Sequence, residues 1–584
     1  MRVLGAAALA AMLVASAPAQ ADSAREYYVA RATRSATPTQ LDQDERAYYT
    51  QLFAAIDAGN WATVQALFAQ RDHGPLHRIA RAEYYLAKNS PKVTLEQIQE
   101  WMDKGKRLPE AAQLARLALT RGATTMPELP REQSFYRRGS PPLRVRPRSV
   151  EDGTMPATVR QAILDRITND DPDAARALLD GVDAVLSPEA RAEWRQRIAW
   201  SYYIENRDPQ ALAIAQTVDD GAGAWVAEGD WAAGLAAWRM SDCATAGSSF
   251  ERAAAGASNY ELRSAAFYWA SRAALRCRHP ERSAQLLRSA AASDETLYGM
   301  LAAQQLGRRL PGLVEQADFT ETDWKRLKDS DNVHIAVALA EIGRDELASE
   351  VLIHEAKIAD PKDFAPLSRL ARELGLPQTQ LYMAYNAPNG AAPDPASRYP
   401  APKWTPVGGW QVDPALAFAH TLQESAFRGR AVSPASAQGL MQITPITVRQ
   451  FAPRLGLSAS DVNVFDPGTN LAFGQQNLAM LRDSPATRGE LPKIMAAYNA
   501  GLSPVTRWNS QVNDQGDPLL YMESIPYWET RGYVATVMRN YWMYERQAKA
   551  PSPSREALAE NAWPMFPGAS QGKDGRVYLS AGKD

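Results

Sequence analysis

Apolar residues recur at helical spacing through the first two thirds of the chain. In residues 22–385 they return every three to four positions, with short breaks between the runs. Three such sets are Tyr48, Tyr49, Leu52, Phe53 and Ile56; Val159, Ile163, Leu164 and Ile167; and Ile335, Ala338, Leu339 and Ile342. Strand-like alternation is scarce, as are the Asn and Gly dipeptides of tight hairpins. The pattern therefore predicts an all-α region.

A loose repeat runs through the middle of this region. Its members place Ala or Gly beside aromatic residues, as close-packed helix pairs require, in residues 231–238, 244–255, 264–272 and 282–287. A period of roughly 30–40 residues is typical of tetratricopeptide-like solenoids. The sequence thus predicts an α-superhelical solenoid. It leaves open whether the concave surface binds a ligand or is only a scaffold.

Three segments depart from the helical pattern. Residues 135–148 are basic and irregular, which fits either a solvated surface or a contact with an anionic polymer. Residues 386–412 are rich in Pro and Gly and indicate a connection between domains. The tail, residues 549–584, is rich in Pro, Ser, Gly and Lys, so we expect it to be poorly ordered or to lie along the surface.

Length and composition narrow the functional classes. A chain of 584 residues is too long for one core, so several domains are expected. The 64 basic residues nearly balance the 66 acidic ones, so no basic excess favours nucleic-acid binding. The six histidines and two cysteines lack metal-ligand spacing, and no glycine-rich nucleotide loop is evident. Neither a metal nor another cofactor is therefore predicted.

The first 21 residues predict an export signal. Arg2 precedes an apolar run, residues 3–15, that is too short to remain in a bilayer as a spanning helix. The Ala-Gln-Ala of residues 19–21 is a cleavage pattern that places the mature start at Asp22. A short N-terminal anchor is the alternative. No later stretch predicts a membrane helix, so no integral membrane segment is expected after cleavage.

The two cysteines allow two interpretations. Cys243 and Cys277 are 34 residues apart, which is compatible with positions on neighbouring helical hairpins. An exported protein meets an environment in which disulfides persist. The alternative is two small buried apolar side chains, and spacing alone does not decide between them.

A single carboxyl stands out in the helix that Asp413 and Pro414 are predicted to open. Between Pro414 and Phe427, Glu424 is the only charged side chain, and the next acidic residue is Asp461. Apolar surroundings and the negative end of a helix both raise the pKa of a carboxyl. Such a group holds a proton near neutral pH and can donate it to a leaving group.

The helical spacing also predicts which residues accompany this carboxyl. Ala417 and His420 fall on the same face as Glu424, and we expect this small-sided face to border a cleft. A lone histidine is more often structural than functional, so His420 is not assigned to the site.

Four short blocks follow one another over about 120 residues. They are Glu424-Ser425, the Gly-Leu-Met-Gln of 439–442, the Ala-Tyr-Asn-Ala-Gly of 497–501, and the Ile-Pro-Tyr-Trp-Glu-Thr-Arg-Gly-Tyr-Val of 525–534. Together they resemble the catalytic domain of soluble lytic transglycosylases, a lysozyme-like helical fold that acts on peptidoglycan. The resemblance implies a lysozyme-like domain over residues 413–548. It extends more loosely to residues 22–385, where that family has a superhelical, U-shaped domain followed by linker helices.

This resemblance implies a reaction. The enzyme would cleave the β-1,4 bond between N-acetylmuramic acid and N-acetylglucosamine and leave a 1,6-anhydromuramic end. Glu424 matches the single catalytic acid/base of the family. Ordinary glycosidases use two carboxylates, and none other lies near Glu424 in the sequence, which agrees with an internal hydroxyl nucleophile.

Five further residues match family positions that border the saccharide cleft. The resemblance implies that Ser433 and Gln442 hydrogen-bond sugar groups, that Tyr498 stabilises charge near the scissile sugar, and that Glu529 binds substrate. Asn499 is the fifth. The residues alone leave three alternatives open: Tyr498 as a core tyrosine, Asn499 as a helix cap, and Glu529 as an ion-pair partner.

The resemblance also sets expectations for location and partners. It implies a periplasmic protein, in agreement with the export signal. It also implies peptidoglycan glycan strands as substrate and other cell-wall enzymes as candidate partners, and we expect a monomer. Two alternatives remain, a hydrolytic muramidase on the same fold and a non-catalytic helical-repeat scaffold of the cell wall. The sequence decides neither exo versus endo action nor any preference for stem peptides.

Overall fold

A computed structural model describes residues 23–125, 127–140, 142–308, 318–393, 395–571 and 577–579. The predicted export signal and the mature start at Asp22 lie outside these ranges. The prediction of an all-α fold is confirmed, since the described residues contain 28 α-helices and only two short two-stranded ribbons. None of the helices in these ranges combines the length and the apolar character needed to cross a membrane.

The elements are numbered in chain order. The helices of the N-terminal two thirds are α1 (Ala24–Ala32), α2 (Gln43–Asp57), α3 (Trp61–Gln70), α4 (His77–Leu86), α5 (Leu95–Gly105), α6 (Ala111–Thr120), α7 (Ala157–Thr168), α8 (Pro172–Asp180), α9 (Pro188–Ile204), α10 (Asp208–Ala215), α11 (Trp225–Arg239), α12 (Cys243–Gly256), α13 (Tyr260–Arg276), α14 (Pro280–Ala290), α15 (Leu297–Gln305), α16 (Glu321–Leu327), α17 (Asp331–Glu341), α18 (Asp345–Ile358), α19 (Phe364–Glu373) and α20 (Pro377–Tyr385). The later helices are α21 (Pro414–Ser425), α22 (Pro445–Phe451), α23 (Pro467–Arg482), α24 (Leu491–Ala500), α25 (Leu502–Gln511), α26 (Pro518–Ser524), α27 (Trp528–Gln547) and α28 (Pro553–Ala559). The ribbons pair β1 (Tyr136–Arg137) with β2 (Asn386–Ala387), and β3 (Ala569–Gln571) with β4 (Val577–Leu579), both antiparallel.

Helix starts follow capping residues that the sequence supplies. At α2, the Asp42 side chain accepts the Glu45 N–H and the Glu45 side chain accepts the Asp42 N–H, which forms a capping box. At α21, Asp413 accepts the N–H of Ala415 while Pro414 occupies the first turn, as predicted. These caps pair backbone groups that the helix itself leaves without partners.

The helices form two main hydrophobic cores. One joins α2–α6 to α16–α20, where the side-chain amide of Asn332 donates to the carbonyl of Arg107 at 2.8 Å. The other joins α7–α15 to α21–α28. Helix α1 belongs to the second core, because the Tyr28 hydroxyl donates to the Tyr544 carbonyl at 2.9 Å. The predicted unit 22–385 therefore contributes to both cores.

The repeat predicted in residues 231–287 corresponds to consecutive packed helices. Helices α11, α12, α13 and α14 each pack on the next. Gly234 lets α12 approach α11 closely, since a Cβ at this position would lie 2.5 Å from the Phe250 ring. Trp231 and Trp269 are fully buried at this interface. Small residues beside aromatics thus pack the solenoid as the pattern predicts.

A disulfide bond joins neighbouring hairpins of the solenoid. Cys243 begins α12, Cys277 follows α13, and their Cα atoms are 5.6 Å apart. The disulfide interpretation of the two cysteines is confirmed.

We expect loss of this bond to destabilise the solenoid. Replacing both Cys243 and Cys277 by Ser frees a loop of 34 residues in the unfolded chain and lowers the free energy of unfolding by about 3 kcal/mol. The measurement is thermal unfolding of the oxidised protein and the double variant, with and without a reductant. The reductant should lower the Tm of the parent protein only. Equal Tm values for parent and variant would contradict the prediction.

The basic segment 135–148 connects the helices of the first core to those of the second. Its residues 136–137 pair with β2. Arg144 makes ion pairs with Glu228 of α11 at 3.0 Å and with Glu523 of α26 at 3.5 Å, and it stacks on Trp231. At Arg144 the segment is therefore a structural strap rather than a solvated charge run.

The expectation of a poorly ordered tail is wrong for its first part. Helix α28 buries Leu558, and Phe566 is 2 % exposed. The Leu491 N–H donates to the Pro564 carbonyl at 2.8 Å, which fixes the tail at the start of α24. Leu558 and Phe566 therefore anchor this part of the tail to the second core. The other expectation, that the tail lies along the surface, agrees with the structure.

Candidate active site

Glu424 is the penultimate residue of α21, so it lies in the last turn as predicted. The helix ends there because Ala426 and Phe427 adopt left-handed backbone angles, with φ of 49° and 61°. The Ser425 hydroxyl donates to the Leu440 carbonyl at 2.7 Å. This bond ties the end of the helix to the loop that carries Gln442.

The carboxyl of Glu424 is half-buried and has one hydrogen-bond partner among the described residues. The Tyr533 hydroxyl, from α27, donates to Oε1 at 2.6 Å. Burial raises the pKa of Glu424 to about 7; the negative charge of Glu529 adds to this rise, and the hydrogen bond from Tyr533 opposes it. The raised pKa and its main cause agree with the sequence-based expectation.

A raised pKa does not by itself mark the site, because other carboxyls share it. Burial also raises the pKa of Glu110 to about 7, of Glu545 to about 8 and of Asp413 to about 6. Glu110 and Glu545 are buried, at 5 % and 2 % exposed, and both oxygens of Asp413 accept hydrogen bonds. The second oxygen of Glu424, Oε2, accepts none from the described residues and is not sealed. Glu424 therefore combines a proton near neutral pH with an oxygen that a substrate can reach.

A loop of residues 431–443 lies beside the Glu424 helix and forms one wall of the candidate site. Gln442 has a left-handed backbone, with φ of 51°, and its side-chain amide donates to the Gly439 carbonyl at 2.9 Å and more weakly to that of Ala431. Ser433 Oγ accepts the Ala437 N–H at 3.0 Å. The amide donors of Gln442 thus hold the loop together, while its Oε1 and the hydroxyl hydrogen of Ser433 bond to none of the described residues and are available to a ligand.

A buried asparagine fixes this loop from below. Asn470 of α23 donates to the carbonyls of Val464 at 2.7 Å and Gln438 at 3.0 Å, and it accepts the Met441 N–H at 2.8 Å. Gly439 passes directly over it, and a Cβ at Gly439 would lie 2.2 Å from the Asn470 amide nitrogen. The close backbone approach at Gly439 is therefore a contact within the protein.

Tyr498 and Asn499 lie at the end of α24 and are half-buried. The Tyr498 hydroxyl donates to the Met441 carbonyl at 2.8 Å, and its ring centroid is 4.6 Å from that of His420. Burial and the charge of Glu424 raise the pKa of Tyr498 well above its usual value, so it stays neutral. Asn499 Oδ1 accepts the Thr530 hydroxyl at 2.7 Å. Tyr498 lies near enough to Glu424 to respond to its charge, although its hydroxyl proton is engaged by Met441.

Glu529 is exposed near the start of α27 and acts on Glu424 through its charge. It makes no ion pair with any residue in the described ranges, so the ion-pair alternative for Glu529 is not what the structure shows. Arg531 instead stacks on Trp200 at 4.1 Å and on Trp528 at 4.9 Å. A second carboxylate therefore does reach the neighbourhood of Glu424, although it is 105 residues away in the sequence.

Sequence reasoning missed the residue that contacts the carboxyl, Tyr533. It belongs to the last of the four blocks, but nothing local indicates its partner. The expectation for the small-sided face of α21 is wrong at His420, which is fully buried against Tyr498 and Tyr533 instead of bordering a cleft. Only Glu424 on that face remains accessible.

A cavity with a volume of about 640 Å³ lies next to the site. One wall comes from α18 and the turn before α20, and the other from residues 427–432, which follow the Glu424 helix. Glu424 itself does not line it. As far as the described ranges extend, no group of three or more His, Cys, Asp or Glu side chains is arranged to hold a metal ion.

Comparison with known proteins gives a family for this region. The family model described as Transglycosylase SLT domain matches residues 407–520, which contain Glu424, the loop 431–443 and Tyr498. The soluble lytic murein transglycosylase of Escherichia coli is 32 % identical over 156 residues, which is 26 % of this chain and 24 % of the relative. The protein of the same name from Salmonella typhimurium is 32 % identical over 132 residues, 22 % of this chain and 20 % of the relative. The chain thus spans less than half the length of the curated relatives that it matches.

The likeness in three dimensions extends beyond this domain. The 70-kDa soluble lytic transglycosylase Slt70 of Escherichia coli superimposes with a TM-score of 0.52 and 15 % identity, over 90 % of this chain and all of the other. This comparison supports the predicted fold, a superhelical N-terminal region followed by a lysozyme-like domain. Residues 407–520 of this chain therefore match the Transglycosylase SLT domain, and the described residues share the fold of Slt70.

Proposed function

We propose that the protein is a lytic transglycosylase that cleaves the glycan strands of peptidoglycan, with Glu424 as the single general acid/base. The observation that carries the proposal is the state of this carboxyl inside the SLT domain. Its pKa is raised to about 7, Tyr533 occupies Oε1, and Oε2 is open. General acid catalysis needs a proton held near the working pH within reach of the leaving group.

In the proposed reaction Glu424 donates one proton and later takes one back. Protonated Oε2 gives its proton to the glycosidic oxygen, the bond from this oxygen to C1 of N-acetylmuramic acid breaks, and positive charge develops at C1. The carboxylate then takes the proton of the C6 hydroxyl, whose oxygen bonds to C1. The product is a 1,6-anhydro end, no water is consumed, and Glu424 is protonated again for the next cycle.

The other site residues are proposed to bind and orient the strand. The acceptor Oε1 of Gln442 and the hydroxyl hydrogen of Ser433 are available to sugar groups. Glu529 is exposed beside the carboxyl and is assigned to substrate binding. For Tyr498 and Asn499, the contacts support a role in shaping the wall near the scissile sugar, because their polar atoms already hold Met441 and Thr530.

One observation favours a second candidate, a hydrolytic muramidase. Retaining and inverting glycosidases use two carboxylates, and Glu529 lies close enough to raise the pKa of Glu424. Product mass separates the two reactions, because an anhydro end is lighter than a hydrolysed end by one water. Purified protein is incubated with cell-wall sacculi and the soluble products are weighed by mass spectrometry. Anhydro products support the transglycosylase, hydrated products support the muramidase, and no soluble product refutes both.

Location and assembly follow from the same proposal. Peptidoglycan lies outside the cytoplasmic membrane, so we propose a periplasmic enzyme that acts as a monomer, with other cell-wall enzymes as candidate partners. Fractionation of cells that produce the full chain tests the location.

The raised pKa predicts the pH dependence of this activity. The free enzyme must hold the proton, so kcat/KM is expected to be level below about pH 6 and to fall as the pH rises through about 7, because deprotonation removes the acid. Initial rates on sacculi at constant ionic strength between pH 5 and 9 measure this. A rate that increases from pH 6 to pH 8 would show that Glu424 does not act as the acid.

A further inference from the structure

A buried histidine continues the hydrogen-bond chain of the catalytic carboxyl. His420 is fully buried one helical turn before Glu424, and its Nδ1 lies 2.8 Å from the Tyr533 hydroxyl oxygen. The same oxygen lies 2.6 Å from Glu424 Oε1. His420 Nε2 has no partner in the described part of the chain. Three titratable groups thus share two hydrogen bonds, and Tyr533 stands between the other two.

The protons in this chain can be counted. Burial lowers the pKa of His420 to about 3, so the imidazole is neutral and carries one proton. Tyr533 keeps its proton, because its pKa is raised well above the usual value by burial and by the charge of Glu424. A Glu424 carboxylate can only accept, so at 2.6 Å the phenolic proton must point to it. The 2.8 Å contact is then a hydrogen bond only if Nδ1 carries the imidazole proton.

This arrangement also serves the protonated state of Glu424. With Nδ1–H donating to the phenolic oxygen, Tyr533 continues to donate to Oε1, and the carboxyl proton resides on Oε2. The reverse tautomer would leave a buried N–H at Nε2 without an acceptor among the described residues, which is the less favourable kind of unpaired group. One tautomer of His420 thus fits both protonation states of the acid/base.

We propose that His420 is a positioning residue that fixes the Tyr533 hydroxyl on Glu424 Oε1 and so reserves Oε2 for the proton that is transferred. The inference rests on the proposed function for its role in catalysis, while its effect on the carboxyl can be measured without substrate. Hydrogen bonds in a chain strengthen one another, so the donor from His420 makes Tyr533 a better donor to the carboxylate.

The surroundings of His420 contain no competing charge that the structure describes. Glu424 lies on its own helix, α24 contributes Tyr498, and α27 contributes Tyr533, with Glu529 acting on the carboxyl from the start of α27. The low pKa of His420 has burial as its cause. Its influence on Glu424 therefore passes through Tyr533.

The experiment titrates Glu424 directly. The full chain is labelled with glutamate carrying ¹³C at Cδ, and the Glu424 resonance is identified by its loss in Glu424→Gln. We expect a midpoint near 7 in the parent protein. In His420→Leu the midpoint should rise by at least about 0.5, because a weaker donor at Oε1 stabilises the carboxylate less. His420→Asn, whose amide nitrogen occupies the place of Nδ1, should keep the parent value.

A double-mutant cycle separates positioning from general packing. In a Tyr533→Phe background, His420→Leu should cause no further shift of the Glu424 midpoint, because the connecting hydroxyl is gone. A parent-like midpoint in His420→Leu, or the same shift with and without the Tyr533 hydroxyl, overturns the proposal. If His420→Leu does not fold, His420→Met fills the same space without a donor and is judged by the same outcomes.

Activity then tests the catalytic part separately. On sacculi, His420→Leu should lower kcat about tenfold with KM unchanged, and His420→Asn should restore most of it. A parent protein that releases no product refutes the proposed function, while the titration still decides the role of His420. An active parent with an unaffected His420→Leu variant refutes only the positioning role.

Discussion

Replacing Glu424 by Gln should lower the release of soluble muropeptide from sacculi by at least about 10²-fold, the size expected for loss of a general acid. The amide is similar in size and can still accept the Tyr533 hydroxyl at its oxygen, so the local structure should persist. It has no acidic proton for the leaving group and cannot take one from the C6 hydroxyl. Initial rates at pH 6, where the parent carboxyl is protonated, give the largest contrast.

The chain offers a matched control for this variant. Glu110 has the same raised pKa, about 7, from the same cause, but it is buried at the start of α6 in the other core. Glu110→Gln should therefore keep the parent rate. If both variants keep the parent rate, Glu424 does no chemistry and its proposed role as the acid/base is refuted. If both lose activity equally, the loss reflects general damage to the protein.

The helical fold could be predicted because its signals are local. The apolar set around Leu52 and Phe53 and the Asp42 cap both lie within a few residues of the helix that they define. The division into two cores could not be predicted in this way. It depends on contacts such as that between Asn332 and Arg107, which join helices more than 200 residues apart. Periodicity shows which face of a helix is buried but not which partner buries it.

In the candidate site, too, local features could be predicted and contacts between distant residues could not. Glu424 could be found because its isolation among apolar neighbours and its place at a helix end are both visible in one short stretch. Tyr533, which contacts the carboxyl, and Glu529, which adds to its raised pKa, reach it from α27. His420 was visible on the correct face, but its function depends on a tyrosine 113 residues away.

The polar loop residues show a different limit. The family resemblance predicts that Gln442 borders the saccharide cleft, yet both donors of its amide are used by the loop itself. Whether a polar group faces a ligand or the backbone depends on the local path of the chain, here on the left-handed φ of Gln442. The same path explains why Asn470 of α23 supports the loop that carries Gln442.

Among the polar residues that do not contact the substrate, Asn470 is therefore expected to be the one whose substitution lowers stability most. In Asn470→Ala the buried Met441 N–H and Val464 carbonyl lose their partner, and a small cavity remains. Unpaired buried backbone groups cost about 1–3 kcal/mol each, so we expect the free energy of unfolding to fall by about 4 kcal/mol. Because the Met441 carbonyl also receives the Tyr498 hydroxyl, activity should fall with stability.

Urea unfolding followed by tryptophan fluorescence, together with the rate on sacculi, measures both effects of Asn470→Ala. Asn463→Ala is the matched control: Asn463 is exposed, belongs to the segment that leads into α23, and its side chain accepts a single backbone N–H, that of Phe465. It should lose less than about 1 kcal/mol. If Asn470→Ala is no less stable than this control, the three bonds of Asn470 are replaced by water at little cost. The loop that carries Gln442 would then be held by the rest of its backbone contacts, and Asn470 would not be its main support.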